Sequence, residues 1–178
     1  MNLNNLISFP DIERLAQRDP SSGHSHKASC LRVPCIEDVA QVLFHCGQAL
    51  RLLTALPVND RPVWWAAAIY RVALILWKIV LSNSDANVAY PFNISNPAVS
   101  GGGVVALDRV MPEDLSVRSF LRHREETPVL TRLDGTLLPL DDCGKVLDHC
   151  ISLLDQDTAS GAFTTGARSA LSQLRERW

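Results

Sequence analysis

The stretch "RPVWWAAAIYRVALILWKIVL", residues 61–81, decides the fold class of this protein. After its first two residues it carries only two charges, Arg71 and Lys78. Its length alone would allow a membrane span, since about 20 apolar residues cross a bilayer. However, a charge near the middle of a span costs about 2.5–3.5 kcal/mol on insertion scales, and Arg71 lies there. We therefore predict a buried core helix over residues 61–82 and no membrane association.

The charges and the flanking residues predict how this helix is set into the fold. Arg71 and Lys78 are seven residues apart, so they lie on nearly the same helical face. One polar stripe on an otherwise apolar helix is typical of a buried helix with a single edge that reaches water. Asn59 or Asp60 is suited to the N-cap, and Pro62 to the first turn, where a missing N–H does no harm.

Two interpretations of the aromatic side chains Trp64, Trp65, Tyr70 and Trp77 stay open. The first is core packing, because large aromatic rings fill the space between helices. The second is an apolar ligand pocket that also includes Arg71. A buried Arg71 with a carboxylate partner would be half of a structural ion pair. An Arg71 that opens onto an empty aromatic cavity would indicate an anionic or carbonyl ligand.

Helical periodicity recurs on both sides of this segment. Apolar residues between 36 and 56 fall at the 3–4 spacing of one helix face. A short turn then leads into the helix over 61–82, so we expect the two to pack as an antiparallel pair. Two C-terminal helices are also predicted, the first capped by Asp141 or Asp142 and the second over residues 165–177.

The middle of the chain is rich in loop-forming residues. Residues 82–103 are a loop by composition, 104–110 a short strand or an extended connector, and 115–124 a brief helical turn. Asp134-Gly135 is a hairpin-turn dipeptide between alternating apolar residues, so at most a small β-hairpin is expected there. The predicted fold is therefore mainly α, an irregular helical domain with a loop-rich middle.

The domain organisation predicted is an N-terminal extension over residues 1–35, partly disordered, and a single α-helical domain over residues 36–178. Within the extension, residues 11–18 are suited to a short helix. The five cysteines are odd in number and irregularly spaced, and the first residues lack the pattern of a secretory signal. We therefore expect reduced thiols and a nuclear or cytoplasmic location.

The charge balance argues against a protein that binds nucleic acid by itself. The 17 basic and 19 acidic residues give a net charge of −2, so no strong field attracts phosphates. The densest basic cluster, Arg118 to Arg124, is followed at once by Glu125 and Glu126. We therefore expect no direct binding of DNA or RNA.

Candidate metal ligands occur in one loop-like segment. His24, His26, Cys30 and Cys35 are of the residue types that bind zinc. Their spacing does not match the paired ligands of known zinc modules, so we predict no metal and no cofactor.

Two adjacent His–Cys pairs, His149-Cys150 and His45-Cys46, invite comparison with a catalytic nucleophile and its base. Adjacent helical residues point about 100° apart, whereas a catalytic pair must come within hydrogen-bond reach. Cys150 also falls on the apolar stripe of its helix and is predicted to be a small core residue. We assign no catalytic residue and favour a protein that is not an enzyme.

Four stretches, taken in order, resemble the C-terminal part of the regulatory domain of fungal transcription factors that carry Cys2His2 or binuclear-cluster zinc modules. The DNA-binding module of that family is not found here, since no six closely spaced cysteines occur. The stretches are "VLFHCGQALRLL" (42–53), "PVWWAAAIYRVALILW" (62–77), "PEDLSVRSFLRHREETPVLTRLDGTLLPLDD" (112–142) and "VLDHCISLLDQDTASGAFTTGARSALSQLRERW" (146–178).

The resemblance implies a non-catalytic module of transcriptional regulation that acts through protein contacts in the nucleus. It implies a protein partner, such as a DNA-binding transcription factor, and a role in the control of a fungal secondary-metabolite gene cluster. An alternative is a repurposed small-molecule-binding protein or cyclase-type enzyme, with a small hydrophobic ligand in an aromatic pocket around residues 62–81. A third interpretation is a truncated remnant without function.

Overall fold

The computed structural model describes residues 8–17, 38–83, 103–123, 126–157 and 161–178. These residues form six α-helices and a three-stranded sheet, which confirms the predicted, mainly α fold class. In chain order the elements are α1 (Phe9–Ala16), α2 (Val39–Ala55), α3 (Trp65–Asn83), β1 (Val104–Ala106), α4 (Leu115–His123), β2 (Thr127–Thr131), β3 (Leu137–Pro139), α5 (Cys143–Asp155) and α6 (Ala162–Arg177).

Helix α3 is the centre of the fold. It packs against α1, α2, α5 and α6, and every residue from Val72 to Ser82 is buried. By length and composition α3 could also cross a membrane, but 78% of its most apolar window is buried inside the protein. This burial is typical of a core helix, as the sequence predicted.

The start of α3 differs from the prediction. Residues Val58–Asp60 form a 3-10 turn, and the helix begins at Trp65 rather than at Arg61. The carbonyl of Pro62 accepts a hydrogen bond from the Trp65 N–H, 2.9 Å, as part of the turn before the helix. The predicted cap at Asn59 or Asp60 is therefore wrong, because a second turn separates those residues from the helix.

The predicted polar edge of α3 is also wrong at one of its two residues. Arg71 is exposed, but Lys78 is only 2% exposed and its ammonium group donates to the Ser82 hydroxyl, 2.8 Å. Seven residues further along, the same face of the helix is covered by neighbouring elements. Helical spacing predicts which residues share a face, but it does not predict which part of that face neighbouring elements will bury.

Helix α2 is capped at its start and is held against other elements at its end and in its middle. The Asp38 carboxylate accepts from the Gln41 N–H, 3.2 Å, and caps its start. Near its end, the Leu53 carbonyl accepts from the Trp65 side chain, which places the start of α3 beside the end of α2. In the middle, Gly47 lies against Leu107, where a Cβ would come within 2.4 Å of the leucine Cβ. The predicted helix pair is confirmed.

The sheet is larger than predicted. Strands β2 and β3 form the expected antiparallel hairpin, and Gly135 in its turn has a φ of +82°, which a glycine adopts without strain. Strand β1 adds to β2 in parallel, with Val105 opposite Pro128. This pairing joins residues more than 20 positions apart, so no local pattern could reveal it. Helix α4 has nine residues, more than the brief turn expected.

The two C-terminal helices close the core over α3. Asp142 caps α5 by accepting from the Lys145 N–H, 3.1 Å, as predicted. Helix α6 begins at Ala162, three residues before the predicted start, and packs on both α3 and α5. At the other end of the chain, α1 packs on α3, and the predicted boundary at residue 35 lies outside the described residues.

Candidate functional site

The five residues proposed for a ligand pocket lie along most of the length of α3, and the structure places them in three kinds of environment. Trp65 and Trp77 are buried, Tyr70 is partly buried, and Trp64 and Arg71 are exposed. The described contacts of these side chains are with α1, α2, the α2–α3 connection and the C-terminal end of the chain, and none of them joins two of the five residues. A pocket formed by all five residues therefore stays a prediction.

Trp65 joins α2 to α3. Its indole N–H donates to the Leu53 carbonyl, 2.9 Å, so its one polar atom is paired inside the core. On the ring face, the Arg61 guanidinium carbon lies 4.1 Å from the ring centroid, within the range of a cation–π interaction. Leu53 lies in the last turn of α2, and Arg61 lies in the connection between α2 and α3. Trp65 therefore has a structural role: it fixes the start of α3 against the end of α2.

Trp77 lies at the other end of α3 and is fully buried. Its ring meets the ring of Trp178 edge-to-face, with centroids 5.5 Å apart and planes at 74°. This arrangement is favourable because the positive edge of one ring faces the negative face of the other. The Trp77 indole N–H has no hydrogen-bond acceptor among the described residues. A buried donor of this kind is uncommon and calls for an explanation.

Arg71 adopts neither of the two arrangements considered for it. Its guanidinium lies over the ring of Phe9 in α1, 4.8 Å from the centroid, at the surface of the protein. The described partner of this cation is therefore an aromatic face. Beside it, burial raises the pKa of Tyr70, and the negative charge of Glu13 adds to the effect while Arg177 opposes it. Tyr70 thus lies between α1 and the end of α6.

Trp64 is the exposed member of the set. It is 58% exposed, and its neighbour Val63 is 85% exposed. Two large apolar side chains at the surface, next to each other in the chain, offer apolar area that a partner could cover. The pair Val63 and Trp64, called here the apolar corner, is therefore a candidate contact surface.

The cysteine thiols of the core are not suited to catalysis. Burial raises the pKa of the Cys150 thiol to about 12, and burial also raises the pKa of Cys46. The thiolate is the nucleophilic form, so both groups are inert near neutral pH. Cys150 is fully buried, which confirms that it is a core residue. Burial lowers the pKa of the adjacent His149, while Asp108 acts in the opposite direction and Arg132 adds to the lowering.

The described part of the chain contains no group of three or more His, Cys, Asp and Glu side chains that could hold a metal ion. The four candidate zinc ligands, His24, His26, Cys30 and Cys35, lie outside the described residues. Their assignment therefore stays a prediction.

Three partners of the candidate pocket residues were not identified from the sequence. They are Phe9 under Arg71, Arg61 over Trp65, and Trp178 against Trp77. For Phe9 a signal existed, because Phe9, Ile12 and Leu15 follow one another at the spacing of a helix face. For the other two, the sequence does not show which side chains meet, and Arg61, predicted to lie in the helix over 61–82, lies before its start.

The sequence is similar over almost its whole length to segments of curated proteins. It is 39% identical over 176 residues to a transcription factor of Zymoseptoria tritici, which covers 98% of this chain and 18% of that protein. It is 35% identical over 174 residues to Transcription factor 1 of Elsinoe fawcettii, covering 98% and 17% of the two chains. A transcription factor of Pestalotiopsis fici is 32% identical over 180 residues, covering 100% and 17%.

The chain spans less than one fifth of the length of these three relatives. No family model matches the sequence, and no solved structure matches it. The matched segments cover 98–100% of the chain, so they include the α1 segment as well as the helices around α3. The chain is thus homologous, along almost all of its length, to segments of fungal transcription factors.

Proposed function

We propose that this chain is a non-catalytic module of transcriptional regulation that acts through contacts with other proteins. The observation that carries the proposal is the similarity to transcription factors over 98–100% of the chain. We further propose that it corresponds to the C-terminal part of the regulatory domain of zinc-module regulators, that it works in the nucleus, and that it takes part in control of a secondary-metabolite gene cluster.

The described surface supports a role that does not involve direct contact with DNA. Several basic side chains are already paired with acidic ones: Arg168 contacts Asp155 at 3.1 Å, Lys145 lies 3.7 Å from Asp142, and Arg175 contacts Asp148. A binder of DNA needs clustered cations that neutralise several phosphates at once. We therefore propose that a DNA-binding transcription factor is the partner that brings this module to its genes.

The apolar corner supports a role in protein contacts. Protein interfaces are enriched in exposed tryptophan, which offers a large contact area with little side-chain entropy to lose. Trp64 is therefore the residue on which we expect a contact to depend most. Its substitution by Ser should leave the fold intact, since its side chain lies mostly in water.

The test of the proposal is made in the source organism. The gene is deleted, and the strain is complemented with the wild-type chain, with Trp64→Ser, or with Arg122→Ser as a control at an exposed residue. Transcript profiling should show coordinated loss of a contiguous set of genes, restored by wild type and by Arg122→Ser but at most partly by Trp64→Ser. Unchanged transcripts in the deletion strain would rule out a regulatory role.

A second measurement tests the absence of DNA contact. The purified chain is titrated against promoter fragments of the affected genes in fluorescence anisotropy at about 150 mM salt, where non-specific phosphate binding is weak. We expect no submicromolar binding to any fragment. Submicromolar binding to one promoter, with weaker binding to scrambled DNA, would show that the chain itself reads DNA.

The indole N–H of Trp77, which has no acceptor in the part of the chain that the structure describes, favours a second candidate, a protein that binds a small hydrophobic ligand or acts on one as a cyclase-type enzyme. A ligand with a hydrogen-bond acceptor would pair this buried donor. The probe is the dye 1-anilinonaphthalene-8-sulfonate, whose fluorescence rises in apolar sites. Saturable binding to wild type that is at least tenfold weaker in Trp77→Phe would support the candidate. Equal binding by both proteins, or none, would count against it.

A further inference from the structure

Helix α1 is a small amphipathic helix that lies on the outside of the core. Its buried residues are Ile12, Leu15 and Ala16, which occupy one face, while Phe9 is partly buried on the same side. The helix on which it packs is α3. The outer face carries Arg14, which is paired with Asp11 of the same helix. Thus α1 contacts the core through one apolar stripe.

Two exposed arginines, one in α3 and one in α6, contact the two ends of α1. At its start, Arg71 of α3 lies over the Phe9 ring. Just after its end, Arg177 of α6 donates to the Gln17 carbonyl, 3.4 Å. A cation at a helix C-terminus is favourable, because the last carbonyls carry partial negative charge. The core therefore presents an apolar surface with a cation at each end, matched to the length of one short helix.

The helical form of α1 depends on this surface. It has only eight residues, whereas isolated helices shorter than about 12–15 residues are marginal in water. The Ser8 side chain makes no capping hydrogen bond to the helix backbone. The surface on which α1 packs belongs to α3, and α3 is also packed against α2, α5 and α6. The docking surface is therefore supported by contacts that do not include α1.

The connection to the rest of the chain does not by its length determine where α1 lies. Twenty residues, 18–37, separate Gln17 from the N-cap of α2. Such a segment can span up to about 70 Å when fully extended. The described contacts that position α1 are those of its apolar stripe with α3 and those of its two ends with Arg71 and Arg177.

We propose that this face of α3 is a binding site for an amphipathic helix of a partner protein, and that α1 is a tethered occupant that competes with it. The pattern of α1 defines the partner: an aromatic residue followed by bulky apolar residues three and six positions later, as in Phe9, Ile12 and Leu15. Recognition of a helix by such anchors in an apolar groove is a recurrent mode of protein contact. This inference deepens the proposed protein-contact function and rests on it.

The test uses the full chain with α1 released. The double variant Ile12→Asp/Leu15→Asp removes the apolar stripe, and a fluorescein-labelled peptide of residues 1–17 is titrated in anisotropy. Binding to the released variant should be at least tenfold tighter than to wild type, where tethered α1 already occupies the site. The peptide with Ile12→Asp should not bind, and the matched peptide with Arg14→Ala should bind normally. Equal binding to wild type and to the released variant would overturn the proposal.

Hydrogen exchange on the wild-type chain keeps the proposal testable if the double variant does not fold. We expect amides of residues 13–17 to be at least 100-fold less protected than amides in the second half of α3, because α1 detaches without global unfolding. Equal protection would show that α1 is an integral part of the core and would overturn the proposal. A normal transcriptional response with equal protection would refute the α1 site alone, while a deletion strain with unchanged transcripts would refute the regulatory function.

Discussion

Helices α3 and α6 are similar in length, at 19 and 16 residues, and contact each other, yet they lie in opposite environments. Helix α3 is covered by four helices and its second half is buried on all sides. Helix α6 packs on α3 and α5, and its buried residues are Thr164, Leu171 and Leu174. The difference shows that the number of neighbouring elements, and not the length of the helix, decides whether a helix of this fold is buried in the core or lies at its surface.

The largest expected effect tests the inner helix. Trp77→Ala should lower the free energy of unfolding by about 3–5 kcal/mol, since the truncation of a buried aromatic residue leaves a cavity. On the cover helix, Phe163 is 73% exposed, and Phe163→Ala should change the stability by less than about 0.5 kcal/mol. Urea denaturation of both variants measures the contrast. A loss below about 1 kcal/mol for Trp77→Ala would show that this residue is not part of the core.

A pair of glycines extends the contrast to α2. A Cβ on Gly47 would meet Leu107 at 2.4 Å, so Gly47→Ala should destabilise the protein by about 1–3 kcal/mol through overpacking. Gly166 on α6 has open space around it, and Gly166→Ala should stabilise by about 0.5–1 kcal/mol through helix propensity. Opposite signs in thermal unfolding are expected. Stabilisation by both substitutions would mean that α2 does not pack tightly on the turn after β1.

A smaller effect is expected from His149, on the core face of α5. Burial lowers its pKa in the folded state below the usual value of about 6.5. The contribution of neutral His149 to the free energy of unfolding is therefore complete above pH 6.5. It is lost as the pH falls through the folded pKa, because the unfolded state binds the proton more readily. The loss of stability between pH 7.5 and 5.5 should be smaller in His149→Gln than in wild type. The matched variant His123→Gln, at the exposed end of α4, should behave like wild type.

The smallest effect is expected from an exposed ion pair between α5 and α6. Arg168 and Asp155 form an ion pair at 3.1 Å, and the side chains of both are half exposed. Solvent screens such pairs, so Asp155→Asn should lower the stability by less than about 1 kcal/mol. The difference should vanish in about 1 M salt. A larger loss that persists at high salt would indicate that α6 is held to the core by more than its apolar residues.

Apolar periodicity predicted α2, α3, α5 and α6 because each has a stripe or a full circumference of apolar residues. The ends of these helices were less predictable. Competing turns decide them: the predicted cap residues Asn59 and Asp60 lie in a 3-10 turn, and a second turn at Pro62–Trp65 precedes the helix. Of the candidate site, the sequence predicted the aromatic residues themselves. Whether each would be buried or exposed depended on neighbours from other elements.

By itself, the sequence determined the mainly α class, the central position of α3, the hairpin at Gly135 and the inert state of Cys150. These follow from local spacing, turn chemistry and composition, which act within a few residues. Only the tertiary structure decided that Lys78 is buried while Arg71 is exposed, and that β1 pairs with β2. It alone placed Phe9 under Arg71 and Trp178 against Trp77. Each of these contacts joins residues far apart in the chain, so it depends on how the elements pack and not on the pattern within any one of them.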